Sequence, residues 1–383
     1  MTPPKTQTST TEMWIPKETD LYLYTLSRGH GVPLVFCNGL GVAAESFWPA
    51  ICSPLAPYVR MIHWDYRGHG RSSLPSSEQP ISFQLCVEDL FAVLDHYQLD
   101  QAIIVGHSMG VQLALEAFRQ QPQRVLGLIS ILGTFQYPFD TFLRSKYAAR
   151  VFDVVSTKAL RHPKPLGEVW TTIFQTWLTE PIARFFNIVH PKHFPTDEFR
   201  MYIDHMRKMS PRVFFQLARS LQEHSADDIL SLVNVPTLIF SGEKDFFTPP
   251  ENAHYMAHRI PNAELQHIKD GSHAAMVEHP DLFWLRILHF LQKHFKGEVP
   301  QAPSQAQTST TSIPLEQSSI AVQVTPTQRR TPPQPSPESK TTKTQCSRPK
   351  SASSRPKSSS SRPKSASSRP KSNSSLHPPV VEK

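Results

Sequence analysis

The stretch Val105-Gly106-His107-Ser108-Met109-Gly110 decides how the rest of the chain is read. It has the form G-x-S-x-G. The β-branched run Ala102-Ile103-Ile104-Val105 leads in, and the helix pattern Val111-Gln112-Leu113-Ala114-Leu115-Glu116-Ala117 leads out. That order predicts strand, sharp turn, helix. A serine on a strained turn at a strand's end holds its hydroxyl clear of the sheet, and the glycines remove Cβ atoms that would clash there. The first turn of the helix points free backbone N–H groups at the same spot, ready for a developing oxyanion. The bland alternative is a tight turn with an inert serine. The strand before it and the helix after it favour a nucleophile.

Outward from this unit, strands and helices alternate. Thr19 to Ser27 alternates apolar and polar residues and reads as a half-exposed antiparallel edge strand. Pro33-Leu34-Val35-Phe36-Cys37 is a continuous apolar run, as in a buried parallel strand. It ends in the loop Asn38-Gly39-Leu40-Gly41, and a helix is expected from about Ser46 to Leu55. Arg60 to Trp64 is the next strand. Its loop, Asp65-Tyr66-Arg67-Gly68-His69-Gly70-Arg71-Ser72, needs its glycines for a compact turn, with Asp65 and Arg67 tying it down locally. Phe83 to His96 has helix periodicity, and Val125 to Leu132 repeats the buried-strand pattern. This alternation marks a doubly wound, mostly parallel sheet.

From about residue 134 to 225 the pattern is helical, broken by prolines and rich in aromatics. The sheet pattern then resumes at Pro236 to Phe240. A helix from Pro249 to Arg259, a last strand from Ala263 to Ile268 and a final helix from about Asp281 to Phe295 follow.

These stretches together resemble the serine-nucleophile branch of the α/β-hydrolase superfamily over roughly residues 20 to 296. The loop after Trp64 is similar to its D-x-R-G-x-G-x-S. Ser241-Gly242-Glu243-Lys244-Asp245-Phe246-Phe247-Thr248-Pro249 is similar to its G-x-x-D-x-x-x-P. Gly271-Ser272-His273, continuing through Glu278 and Pro280, resembles its G-x-H-x-x-x-x-E-x-P. The resemblance implies the α/β-hydrolase fold, with residues 134–225 as a helical cap, and the chain order Ser, acid, His.

A serine hydroxyl needs a base, and the base needs a partner to hold its tautomer. Ser108 is the expected nucleophile, Asp245 the acid and His273 the base. Glu243 is the rival acid, two residues earlier, and a solvated loop aspartate is the alternative reading of Asp245. His273 is singled out among 18 histidines by its place after the last strand and by its small neighbours. His69 and His107 lie inside motifs but read as structural. His279 reads as the start of the final helix. The oxyanion donors expected are the backbone N–H groups of Leu40 and Met109. Many relatives carry His-Gly where this chain has Asn38-Gly39, which leaves open how the loop is braced.

The expected chemistry is cleavage of a carboxylic ester or related acyl compound. An acyltransferase, a perhydrolase or a C–C bond hydrolase would use the same three residues, and a non-catalytic binder of an apolar ligand would keep the fold alone. Dehalogenases and epoxide hydrolases of this family need Asp where Ser108 stands. The cap's aromatics suggest a small-molecule substrate with an apolar part, most of them serving ordinary packing.

No cofactor is expected, since neither G-x-G-x-x-G nor a P-loop occurs, and without H-E-x-x-H or clustered cysteines no metal site is expected. The four cysteines, Cys37, Cys52, Cys86 and Cys346, show no framework spacing and read as reduced thiols. No secretory signal or transmembrane segment is apparent, so the cytoplasm is the default location.

The net charge of +8 belongs to one end. Residues 298–383 hold 13 basic and 4 acidic side chains, which leaves 27 against 28 in residues 1–297. The folded part is thus close to neutral, and the charge gives no reason to expect a nucleic-acid-binding catalytic domain. Residues 1–12 read as unstructured, residues 13–296 as the hydrolase domain and residues 297–383 as a disordered tail. The tail holds four heptads of the form S-R-P-K-S-x-S, Ser347 to Ser374, each with two positive charges and nothing to bury. A solvated tail without a role is the plain reading, and a tether to an anionic surface the sharper one. Phosphorylation of its serines would cancel the charge.

Overall fold

A computed structural model describes residues 10–46, 48, 52–76, 81–175, 179 and 196–297. The four tail repeats, the first nine residues and part of the expected cap lie outside that set.

Eight strands form one sheet in the order β1-β2-β4-β3-β5-β6-β7-β8. They are β1 (Thr11–Glu18), β2 (Leu21–Gly29), β3 (Val32–Cys37), β4 (Val59–Trp64), β5 (Ala102–His107), β6 (Val125–Ile131), β7 (Thr237–Gly242) and β8 (Ala263–Ile268). β1 and β2 pair antiparallel, β2 pairs antiparallel with β4, and every later pairing is parallel. The doubly wound, mostly parallel sheet is the one the sequence predicts.

The central strands are buried on both faces, which explains their unbroken apolar character. Along β5, Ala102 and Ile104 enter one core while Ile103 and Val105 enter the other. The first core packs under α1 (Phe83–His96) and α2 (Met109–Gln120), with α7 (Pro250–Arg259) beside them. The second packs under α8 (Pro280–His294) and the segment around Trp48 and Leu55. Ser82 caps α1 by accepting from the Leu85 N–H at 3.3 Å, which fixes where that helix begins.

Two expectations change. The edge strand is β1, not the Thr19–Ser27 stretch, which lies in β2 between β1 and β4 and leaves only Tyr22 exposed along its apolar run. β1 also begins at Thr11, so the last two of the twelve residues read as unstructured are paired, Thr11 with Ser27 and Glu12 with Leu26. Part of the helix expected over Ser46–Leu55 lies outside the described residues; Trp48 is helical, the Cys52 N–H donates to the Trp48 carbonyl at 2.9 Å, and a short 3₁₀ turn follows at Ser53–Leu55, with Pro54 in its first turn.

Between β6 and β7 the chain leaves the sheet and forms α3 (Ala148–Arg161), α4 (Pro163–Gln175), α5 (Thr196–Lys208) and α6 (Pro211–Gln222). The two ends of this helical insertion are tied side by side. The Ala226 N–H donates to the Phe135 carbonyl at 2.8 Å, and Gln136 bridges Ser225. Closing both ends on each other lets the insertion hang from the sheet without disturbing it.

Candidate active site

Ser108 sits between β5 and α2 with φ 53° and ψ −115°, a region that non-glycine residues rarely occupy. The glycines on either side are sterically required. A Cβ on Gly106 would lie 2.3 Å from the Gly110 carbonyl oxygen, and one on Gly110 would lie 2.0 Å from the Cys37 carbonyl oxygen. The strand, the turn and the helix are jammed backbone to backbone, and the serine hydroxyl is pushed out at the top.

His273 reaches it. Its Nε2 lies 3.1 Å from Ser108 Oγ, and its Nδ1 lies 2.9 Å from Asp245 Oδ2. A carboxylate only accepts, so Nδ1 carries the proton and Nε2 is left to accept from the serine. Asp245 is fully buried and held on all sides. Its Oδ1 accepts from the backbone N–H groups of Phe247 and Thr248 at 2.8 and 2.9 Å, and its Oδ2 accepts from the Thr248 hydroxyl at 2.8 Å. The rival Glu243 turns away and accepts from the Asp270 N–H at 2.8 Å.

The loops carrying Asp245 and His273 brace each other. The Lys244 N–H donates to the Gly271 carbonyl at 2.9 Å. Glu278 holds the histidine loop from the other side, accepting from the Ser272 hydroxyl at 2.5 Å and from its N–H at 3.2 Å. Three side chains separated by 165 and 28 positions in the chain therefore converge at the carboxyl edge of one sheet.

Leu40 and Met109 both border the cavity in front of Ser108, so both candidate oxyanion donors lie at the site. A Cβ on Gly39 would lie 3.2 Å from Ser108 Cβ, which shows how closely that loop approaches the serine. Asn38 does the bracing. Its Nδ2 donates to the Trp64 carbonyl at 3.1 Å, and its own carbonyl accepts from the Tyr66 hydroxyl at 2.8 Å. His69 adds an anchor, its Nε2 accepting from the Gly41 N–H at 3.2 Å, and burial pushes its pKa down to about 3. Asp65 does tie its own loop, accepting from the Arg71 and Ala44 N–H groups. Arg67 instead reaches Asp89 on α1.

His107 packs edge-on against Trp48 and lies 5.4 Å, ring to ring, from His273. Burial first, and then the neighbouring His273 charge, hold it well below its ordinary pKa, so it stays neutral. It forms part of the cavity wall.

The cavity measures about 340 Å³. Phe139, Phe142, Phe152, Phe199, Phe214 and Phe215 of the insertion form its far wall, joined by Tyr202 and Phe247. Trp170 instead packs inside the insertion, its indole N–H donating to the Met206 carbonyl at 2.7 Å. Trp177, Phe185 and Phe186 lie outside the described residues. Gln112 borders the cavity one helical turn after Ser108, its Nε2 bound to His224 Nδ1 at 2.9 Å.

A family model for the alpha/beta hydrolase fold matches residues 32–280. The chain belongs to that family. A putative carbamate hydrolase, RutD, of Azorhizobium caulinodans is 27% identical over 287 residues, covering 74% of this chain and 97% of the relative. A putative non-heme haloperoxidase of Mycobacterium phage D29 is 29% identical over 264 residues, covering 66% and 85%. Among solved structures, a thermophilic esterase from Thermogutta terrifontis superposes with a TM-score of 0.58 at 22% identity, over 74% of this chain and 99% of that one. At that identity the last likeness speaks for the fold.

Within this family frame, Thr248 and Phe152 are site residues that motif reading passes over. Thr248 had a signal, a hydroxyl three residues after the candidate acid, the spacing at which a carboxylate gathers local donors. Phe152 had none, since only tertiary packing turns it inward. His254 and His258 stand one turn apart on α7, a spacing suited to a metal. Among the described residues, however, no group of three His, Cys, Asp or Glu side chains is placed to hold one. Cys37, Cys52 and Cys86 are buried free thiols. No described helix is long and apolar enough to cross a membrane.

Proposed function

We propose that the protein is a serine hydrolase of carboxylic esters or related acyl compounds, working through an acyl-enzyme. The observation that carries this reading is the unbroken hydrogen-bonded run from Ser108 Oγ through His273 to Asp245, at 3.1 and 2.9 Å.

Ser108 attacks the carbonyl carbon while His273 Nε2 takes its proton. Asp245 holds the tautomer and stabilises the imidazolium. The Leu40 and Met109 N–H groups meet the oxyanion. His273 then protonates the leaving group, and water repeats the sequence to release the acid. The phenylalanine wall supports an apolar acyl or leaving group, since a cavity of this lining desolvates an apolar chain and offers a strongly polar one few partners. The reading also fits the relatives named above, a putative carbamate hydrolase and a putative haloperoxidase.

The test is direct. Wild-type protein should turn over a short p-nitrophenyl ester and be labelled by a fluorophosphonate probe, and Ser108→Ala should do neither. A wild type inert to both disposes of the reading. Esters of graded acyl length then place the limit that a cavity of about 340 Å³ sets.

A further inference from the structure

Helix α3 presents two different faces. Its inner face carries Phe152 into the cavity and buries Ser156 and Ala159 against the rest of the insertion. Its outer face carries Val151, Val154 and Val155, which are 59%, 52% and 47% exposed, and Tyr147 just before the helix is 57% exposed. At about 100° per residue the three valines fall within one sector of the helix about 100° wide. Lys158 lies in the same sector, and Arg150 and Arg161 lie along its edge. All three are exposed, as is Lys146, whose ammonium sits 5.2 Å from the Tyr147 ring. None of these four cations has a carboxylate partner among the described residues. The acid on this helix, Asp153, is taken up by Arg219 at 3.0 Å.

An aliphatic stripe rimmed by unpaired cations is not explained by folding. Exposed valines cost solubility, and unpaired like charges repel one another. The folded part of the chain is close to neutral, so this is a local concentration rather than a general surplus. We propose that the outer face of α3 docks on an anionic lipid surface. The valines enter the headgroup boundary, Tyr147 sits at its level, and Arg150, Lys158 and Arg161 meet lipid phosphates, their stems lying along the apolar stripe. An acidic protein would complement the charge but would gain little from a stripe of small aliphatic side chains without a shaped pocket. The helix that touches the bilayer then also forms part of the cavity wall, through Phe152. This seats the cavity against a phase where apolar substrates concentrate. The inference stands apart from the chemistry at Ser108, because it concerns where the protein works and not what it cleaves.

The full chain is sedimented with vesicles of phosphatidylcholine alone and of phosphatidylcholine mixed with phosphatidylglycerol. Two triple variants accompany it, Val151→Ser/Val154→Ser/Val155→Ser and Arg150→Gln/Lys158→Gln/Arg161→Gln. The wild type should bind the mixed vesicles at least roughly tenfold better than the neutral ones. Each variant should lose most of that binding while keeping wild-type thermal unfolding and fluorophosphonate labelling. The basic tail is present in every sample, so its contribution is constant. Any other pattern overturns the proposal. Undiminished binding by both variants would assign the affinity to the tail. Loss confined to the charge variant would leave the valine stripe without a part in binding. No binding by wild type would leave the stripe without a lipid role.

Discussion

Thr248 and His273 share one oxygen of Asp245. The threonine hydroxyl donates to Oδ2 at 2.8 Å, and His273 Nδ1 lies 2.9 Å from the same atom. The carboxylate is thereby fixed in plane, with its other oxygen taken by two backbone N–H groups. Thr248→Val removes one of four donors and leaves the imidazole's partner in place, so kcat should fall by roughly three- to tenfold with KM little changed. Asp245→Asn replaces the acceptor itself and permits the wrong tautomer, at a cost of roughly 10⁴-fold in kcat. Steady-state kinetics on one ester separates the two, and similar losses in both variants would contradict the assigned roles.

The loop that brings Leu40 to the site hangs on Asn38. Tyr66 is buried, and its hydroxyl is the group that donates to the Asn38 carbonyl. Tyr66→Phe leaves that carbonyl short of a partner in a dry setting, which should cost about 1–2 kcal/mol of stability. If Leu40 supplies an oxyanion donor, the same change should lower kcat about tenfold by letting the loop drift. Unfolding in urea measures the first effect and ester turnover the second. An unchanged kcat alongside lost stability would remove Leu40 from the proposed mechanism.

Arg67 and Asp89 form a buried bidentate pair. Nε and Nη2 donate to the two carboxylate oxygens at 2.8 and 2.7 Å, with the side chains 3% and 0% exposed. The pair pins the loop after β4 to α1. Arg67→Met leaves the buried carboxylate only the more distant Lys17 ammonium, 3.9 Å away, and should cost about 3–5 kcal/mol. The double variant Arg67→Met/Asp89→Leu removes both charges and should recover much of that loss. Urea midpoints for the three proteins decide it, and a double variant no more stable than the single would argue against charge burial as the cause.

The central sheet was legible because strands buried on both faces must be apolar throughout, as in Val35-Phe36-Cys37 and Ile103-Ile104-Val105. β1 was not, because its sequence, with Glu12, Pro16, Lys17 and Glu18, is that of an exposed edge whose only partner lies on one side. Missing β1 is what made β2 look like the edge. The positions of Ser108, Asp245 and His273 could be read because each follows a strand end within a motif of fixed spacing. The cavity wall could not be read. Whether Phe152 or Trp170 faces the cavity depends on how α3 to α6 pack, and helical periodicity marks an apolar face without saying what that face meets.

Glu264 ties the last strand to the last helix, and this tie should fail in acid. Partial burial works against its ionisation, but hydrogen bonds from His294, Arg286 and Lys293 outweigh it and hold the carboxyl down from 4.5 to about 2. His294 Nε2 lies 2.6 Å from its Oε1 and Lys293 Nζ 3.0 Å from the same oxygen. A carboxyl whose folded pKa is depressed binds its proton more readily in the unfolded chain. Its contribution is therefore complete above about pH 4.5 and is lost as pH falls toward about 2. The group is partly solvated, so the contribution at neutral pH should be about 1–2 kcal/mol. Glu264→Gln should lower the unfolding free energy from urea titration at pH 7 by that amount, and the gap to wild type should close as pH drops through this window. Were the gap to stay constant with pH, the effect of the substitution would be one of packing between β8 and α8 rather than of charge.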